Sequence, residues 1–139
     1  MRLVLDTNVV VSALLTPVRP HAEAVRWLFD AHDILYSAAM LAQLVDVLSR
    51  PKLQRYIPLD RTGEFLRFYQ QFTQQVVVTQ RVVLCRDPSD DELLSVALSG
   101  GAQALLTSDL DLRVLHPFRG IDIKTVSEFM VDQAPDRSA

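Results

Sequence analysis

Four aspartates stand where short apolar runs end or helical patterns begin: Asp6, Asp90, Asp109 and Asp111. Asp6 directly follows a run that is typical of a buried strand, and Asp109 follows a second such run. In a parallel α/β sheet the carboxyl ends of the strands meet at one edge, and ligands bind in the crevice outside that edge. The positions of these acids therefore predict that their carboxylates converge on one site.

Such a convergence needs a counter-charge. Carboxylates about 4 Å apart repel by a few kcal/mol per pair at an effective dielectric constant near 20, unless a proton or a cation intervenes. The three histidines, His21, His32 and His116, are far apart in the sequence, which disfavours zinc and favours Mg²⁺ or Mn²⁺. An ion held by acids suits phosphodiester hydrolysis, because it orients a water molecule and lowers its pKa. Nucleic acid is then the favoured substrate.

Each acid also has an ordinary structural explanation. Asp is favoured in turns and helix caps, and the helix dipole favours acids in a first turn, where Asp90, Asp91 and Glu92 stand. Ser89 and Glu92 have the spacing of a capping box. Taken singly, these acids are better explained as caps than as ligands, and it is their recurrence at several strand ends that favours a site.

Length and composition limit the classes of protein that this chain can be. With 139 residues and 49% hydrophobic content, we assign residues 1–131 to a single domain and predict that the polar residues 132–139 form a disordered tail. Neither a membrane span nor a signal peptide is evident, and Cys85 has no partner cysteine, so we expect a cytoplasmic protein without a membrane partner. The net charge of -3 argues against a generic, charge-driven binder of nucleic acid.

The chain alternates short apolar runs with helical patterns, which predicts β-α units around a parallel sheet. The candidate strands are residues 3–5, 34–36, 82–84, 104–107 and 121–124. Helical patterns follow Pro20, Ser37 and Asp60, and the last two predict a helical hairpin between the second and third strands. We expect the aromatic stripe of residues 65–72 to pack mainly in the core, with a partner surface as the alternative.

A basic cluster lies between the two helices of this hairpin. Arg50, Lys52 and Arg55 flank Tyr56 there, and 12 of the 14 basic residues of the chain are arginines, whose planar fork suits phosphate oxygens. The cluster is a candidate for contact with an RNA backbone, and a solvated loop explains it equally well.

Four stretches together resemble a known family: residues 5–8, Ser37 with the helix that closes at 47–52, residues 86–91, and residues 106–112. The chain resembles the PIN-domain family of metal-dependent nucleases, and more narrowly the VapC-like toxins of bacterial type II toxin–antitoxin modules. The resemblance implies a three-layer α/β/α fold with a parallel sheet of about five strands, the first of them central. It also implies RNA cleavage at a Mg²⁺ or Mn²⁺ site, a cognate antitoxin and a homodimer.

The resemblance also assigns roles at the site. It implies that Asp6, Asp90 and Asp109 are the catalytic acids that hold the metal, with Asp111 as an auxiliary ligand. The supporting residues that it implies are Asn8, Ser37, and Thr107 or Ser108.

The chain departs from the family at Gln43, where a glutamate is usual. A neutral amide binds a hard cation more weakly than a carboxylate, so we expect a lower metal affinity. Asp46 lies one helical turn further on and is a candidate to supply the lost charge. A natural loss of activity and a deliberate Glu-to-Gln change both remain open.

Three functions follow. The leading hypothesis is a metal-dependent endoribonuclease that acts as the toxin of a toxin–antitoxin pair. The alternative is a catalytically weakened PIN-fold module that binds RNA or an antitoxin. A phosphoryl-transfer or receiver-like domain built on Asp6 ranks last, because Asp6 lacks the Asp-x-Asp spacing of aspartyl-phosphate hydrolases and the sequence has no Gly-rich phosphate loop.

Overall fold

The computed structural model describes residues 1–17 and 19–133. Short strands alternate with helices, as the apolar pattern predicts. In chain order the elements are β1 (Arg2–Leu5), α1 (Thr7–Leu15), α2 (Pro20–Ala31), β2 (Asp33–Tyr36), α3 (Ala38–Leu48), α4 (Pro51–Gln54), α5 (Leu59–Phe72), β3 (Gln74–Gln75), α6 (Pro88–Gly100), β4 (Ala104–Leu106), α7 (Leu110–Arg113), β5 (Asp122–Lys124) and α8 (Val126–Gln133).

The five strands form one parallel sheet in the order β3-β2-β1-β4-β5. In this sheet β1 is central, and Val4 lies opposite Leu35 of β2 and Leu105 of β4. These three side chains are completely buried, because helices cover the sheet, as parallel strands require. The predicted three-layer α/β/α fold with the first strand central is confirmed.

The predicted strand at residues 82–84 is wrong, and the two residues of β3 take its place in the sheet. Residues 79–85 instead run along α6, whose side chains accept their backbone N–H groups. The N–H of Val82 donates to Ser95 Oγ at 2.8 Å, and Asp91 Oδ1 accepts from the N–H of Cys85 at 2.8 Å. Ser99 Oγ accepts two further N–H groups. Three acceptors spaced four residues apart on α6 therefore replace a neighbouring strand.

The start of α3 agrees with the sequence prediction, whereas the start of α6 does not. Ser37 caps α3 by accepting the N–H of Met40 at 3.1 Å, and Gly101 ends α6 with a left-handed φ of 65°. The capping box predicted at Ser89 is wrong, because Asp87 caps α6 and accepts the N–H of Ser89 at 2.9 Å. Pro88 then occupies the first helical position, where its missing N–H costs nothing.

The hairpin elements α3, α4 and α5 lie between β2 and β3 in the chain. Tyr69 of α5 is buried and Phe65 packs against the core, whereas Phe68 and Phe72 are exposed, Phe72 by 56%. Core packing of the aromatic stripe thus holds for Phe65 and Tyr69 and not for Phe68 and Phe72.

The C-terminal prediction needs one correction. Asp132 and Gln133, assigned to the tail, form the last turn of α8, and Asp132 pairs with Lys124. Residues 134–139 lie outside the described residues. No helix in the described part of the chain is long and apolar enough to cross a membrane.

Candidate active site

Asp6 lies where β1 passes directly into α1, without an intervening loop. Its Oδ1 accepts the N–H of Asn8 at 3.2 Å, which caps the helix, and its Oδ2 accepts the hydroxyl of Thr107 at 2.7 Å. The carboxylate is buried, and burial is the main reason why its pKa is raised. The two hydrogen bonds oppose that rise, while the charges of Asp109 and Asp87 add to it.

Asp90 faces the same edge from the first turn of α6. Its exposed fraction is only 7%, and its pKa is raised to about 6, first by burial and then by the charges of Asp109, Asp87 and Asp6. The helix dipole favours a negative charge at this position, yet burial and the neighbouring acids outweigh it. Asp90 therefore holds a proton more tightly than an ordinary aspartate does.

Thr107 links the two strand ends that carry acids. Its side chain is fully buried, its hydroxyl donates to Asp6, and its Oγ1 accepts the backbone N–H of Asp109 at 3.0 Å. Asp109 in turn caps α7 by accepting the N–H of Asp111 at 2.9 Å. Of the two candidate supporting residues, Thr107 makes these contacts, whereas Ser108 is exposed.

Asp111 lies at the edge of this cluster. Both of its carboxylate oxygens lie 3.3 Å from Nη2 of Arg86, and both side chains are exposed. An exposed ion pair of this kind contributes little to stability. The charge of Asp111 still contributes to the raised pKa of Asp90, so it lies within electrostatic reach of the acids.

Gln43 and Asp46 differ in where they point. Gln43 Oε1 accepts the hydroxyl of Thr7 at 3.3 Å, and Thr7 directly follows Asp6, so the amide faces the edge of the sheet that carries the acids. Asp46 instead pairs with Arg50 at 3.2 Å, and its side chain is 72% exposed.

Sequence reasoning missed two acids beside the site. Glu92, interpreted there as part of a cap, accepts the hydroxyl of Ser37 at 2.7 Å and also pairs with Arg81. Asp87 raises the pKa of both Asp6 and Asp90, while its own pKa is lowered by two hydrogen bonds from Ser89. The Asp-Pro dipeptide at 87–88 is a helix-start signal that identifies Asp87 as a cap.

The basic cluster lies around α4. Lys52 and Arg55 are exposed, and Arg50 forms the ion pair with Asp46. The structure thus leaves the cluster open to solvent, which is compatible with either of its two interpretations.

The acids fit a hard divalent cation by their chemistry. Within residues 1–17 and 19–133, no salt bridge involves Asp6, Asp90 or Asp109, and two of these acids have raised pKa values, so a positive charge is lacking among them. The side chains of the three acids do not surround one point, since no three metal-ligating residues in that part of the chain are close enough to share an ion. A cation held here would draw the carboxylates together, since its attraction outweighs their mutual repulsion.

Comparison with known proteins agrees with this architecture. The chain is 28% identical over 116 residues to the uncharacterized protein MJ1680 of Methanocaldococcus jannaschii. The aligned region covers 81% of this chain and 73% of the relative. Its fold is similar to a chain of the crystal structure of VapBC2 from Rickettsia felis bound to a DNA fragment from their promoter. That match has a TM-score of 0.61 and 15% identity, over 90% of this chain and 98% of the other. The sequence profile of the PIN domain matches residues 2–111, and this chain therefore belongs to the PIN-domain family.

Proposed function

We propose that this protein is a metal-dependent endoribonuclease and the toxin of a toxin–antitoxin pair. PIN domains are generally nucleases. The observation that carries the proposal is the buried link through Thr107, which holds Asp6 beside Asp109 while Asp90 faces them with a pKa raised to about 6. Buried acids with raised pKa values, such as Asp6 and Asp90, are typical of a functional site.

Asp6, Asp90 and Asp109 would hold Mg²⁺ or Mn²⁺, with Asp111 as the auxiliary ligand. When bound, the ion supplies a water molecule of lowered pKa and neutralises charge on the phosphate. The chain's own residues supply positioning. Thr107 fixes the rotamer of Asp6, and the N–H of Asn8 holds the other carboxylate oxygen.

Gln43 supports a second candidate function. Its amide occupies the position of a usual family acid and accepts a hydrogen bond from Thr7, so the site has one negative charge fewer. A weaker metal site follows from that loss. A PIN-fold module that binds RNA or an antitoxin without efficient hydrolysis is therefore the alternative.

RNA is the proposed substrate, and the basic cluster around α4 is the proposed contact for its backbone. Lys52 and Arg55 are exposed and belong to no salt bridge within the described residues, so they are available to phosphates. Arg50 would exchange its pairing with Asp46 for a phosphate at little cost, because exposed ion pairs are weak.

An antitoxin is the proposed protein partner. The resemblance to VapC-like toxins supports it, and a cavity of about 360 Å³ between α1, α2 and α5 offers an apolar seat lined by Val10, Leu14, Phe29, Phe65 and Phe68. Arg26, Arg61 and Glu64 line the same cavity, which suits a partner segment with apolar and charged side chains. We further propose a homodimer that acts in the cytoplasm.

The test is cleavage of labelled single-stranded RNA in Mn²⁺ or Mg²⁺. We expect products that vanish with EDTA and with Asp6→Asn, and that increase with Gln43→Glu because it restores a charge. Asp46→Asn is the matched control, since this acid is exposed and paired with Arg50. Cleavage that survives both EDTA and Asp6→Asn would refute the proposal. Cleavage by Gln43→Glu alone would favour the weakened module.

A further inference from the structure

A second depression adjoins the acids, and we call it the polar groove. It has a volume of about 410 Å³, within the usual range for sites of small ligands. Thr107 lines it and also donates to Asp6, so the groove opens directly beside the candidate active site. Its other principal lining residues are Asn8, Ser12, His21, Ser108 and Ser127, with Val9 and Val126.

The lining of the polar groove has no Arg, Lys, Asp or Glu. It offers hydroxyls, an amide and an imidazole around two buried valine side chains. A phosphate bound there would lack the cationic partner that it requires in a site of this kind. A flat ring with polar edges fits better, because its faces can rest on the valines while its edges meet the polar groups.

His21 lines the groove with a defined tautomer. Its Nε2 lies 3.1 Å from the carbonyl oxygen of Val9. Because a carbonyl oxygen only accepts, Nε2 must carry the proton, and Nδ1 of the neutral ring is then an acceptor. The main-chain contact thus sets both the tautomer and the orientation of the ring. Asn8, Ser12, Ser108 and Ser127 are exposed, so their polar atoms are open to a ligand as well.

We propose that the polar groove receives the nucleoside next to the scissile phosphate of a single-stranded RNA, and that His21 contacts an edge of its base. The proposal rests on the proposed function, since the adjoining acids define where the scissile phosphate lies. A base can enter such a groove only when it is unpaired and unstacked, which restricts the substrate to single strands or loops. Contacts to base edges carry sequence preference, whereas contacts to phosphates do not.

The test measures binding without cleavage. Fluorescence anisotropy with labelled decaribonucleotides of A, C and U, in EDTA, compares the unmodified chain with His21→Gln and with the double variant Ser12→Ala/Ser127→Ala. His21→Gln keeps a donor for the Val9 carbonyl and removes the Nδ1 acceptor. We expect the unmodified chain to prefer one base and His21→Gln to bind that oligonucleotide about 2- to 10-fold more weakly. The control Lys52→Ala should weaken all three about equally.

Two results would overturn the inference: equal affinity of the unmodified chain for all three oligonucleotides, including no binding, or a base preference that His21→Gln and the double variant leave unchanged. Thermal melting of each variant checks that it is folded, and the double variant keeps the test valid if His21→Gln unfolds. A failed cleavage assay alone would refute the nuclease and leave a measured base preference in place. Cleavage without base preference would refute only the role of the groove.

Discussion

Replacing Asp90 with Asn should stabilise the metal-free protein at neutral pH, even though it removes a proposed metal ligand. Folding raises the pKa of Asp90 from 3.8 to about 6, first because the carboxylate is buried and then because Asp109, Asp87 and Asp6 lie near it. The folded state therefore binds the proton of Asp90 more tightly than the unfolded chain does. This contribution to stability is fully present below pH 3.8 and is lost as the pH rises through about 6.

The size of the effect follows from the shift. At roughly 1.4 kcal/mol per pKa unit, the ionised carboxylate costs at most about 3 kcal/mol at neutral pH. Screening by water at the mouth of the site reduces that cost to about 1–2 kcal/mol. Asn keeps the shape of the side chain without the charge, so Asp90→Asn should raise the free energy of unfolding by that amount. The expected increase in melting temperature is a few degrees.

Urea denaturation in EDTA at pH 7.5 and at pH 4.5 measures the effect. The gain from Asp90→Asn should be present at pH 7.5 and much smaller at pH 4.5, where the aspartate is already protonated. Asp30→Asn, at an exposed position of α2, is the matched control and should change little at either pH. Adding Mn²⁺ should stabilise the unmodified protein and not the Asp90→Asn variant. An Asp90→Asn protein less stable than the unmodified one at pH 7.5, or a gain that persists at pH 4.5, would refute this account.

Three further predictions concern the same framework. Thr107→Val should lower the free energy of unfolding, measured by urea denaturation, by about 1–3 kcal/mol and should also reduce cleavage, because it leaves the buried carboxylate of Asp6 without its donor. Thr107→Ser should retain both stability and cleavage, and a Thr107→Val variant with unchanged stability would contradict this role of the hydroxyl. Asp91→Ala should speed amide hydrogen exchange at residues 84 and 85 and leave metal binding unchanged, since Asp91 accepts their N–H groups. Unchanged exchange would show that these hydrogen bonds do not protect the two amides. Gly101→Ala should lower the free energy of unfolding by about 1 kcal/mol and thus the melting temperature, because a residue with a Cβ disfavours a φ of 65°. An equal or higher melting temperature would argue against that backbone conformation.

The helix ends and the positions of the acids are predictable because the sequence signals for them are local. Pro20, Ser37 and Gly101 mark helix ends through their own backbone and side-chain chemistry, and the structure has helix ends at all three. The acids also follow this logic, because a residue after a parallel strand lies at the carboxyl edge of the sheet wherever that strand is placed. Asp6 and Asp109 therefore reach one edge without any knowledge of tertiary contacts.

The predicted strand at residues 82–84, which the structure does not contain, shows the limit of prediction from local sequence patterns. An apolar run of three residues suits a strand, yet its backbone N–H groups can be satisfied by any acceptor of the right spacing. Here Ser95 and Asp91 of α6 supply those acceptors, and Val83 is left 86% exposed. The polar residues Gln74 and Gln75 form the edge strand β3 instead, because their backbone lies beside β2.

The sequence by itself determined the alternation of short strands with helices and that acids stand at the carboxyl edge of a parallel sheet. The tertiary structure alone decided which acids are buried, and how they are held. Thr107 and Asp6 are 101 positions apart and meet only because β4 pairs with β1. The pKa of Asp90 is raised in the same way by tertiary structure, first by burial and then by charges that include those of Asp109 and Asp6 at the ends of β4 and β1. The physical reason is that periodicity and capping act within a few residues, whereas burial and electrostatic coupling depend on which distant groups folding brings within reach.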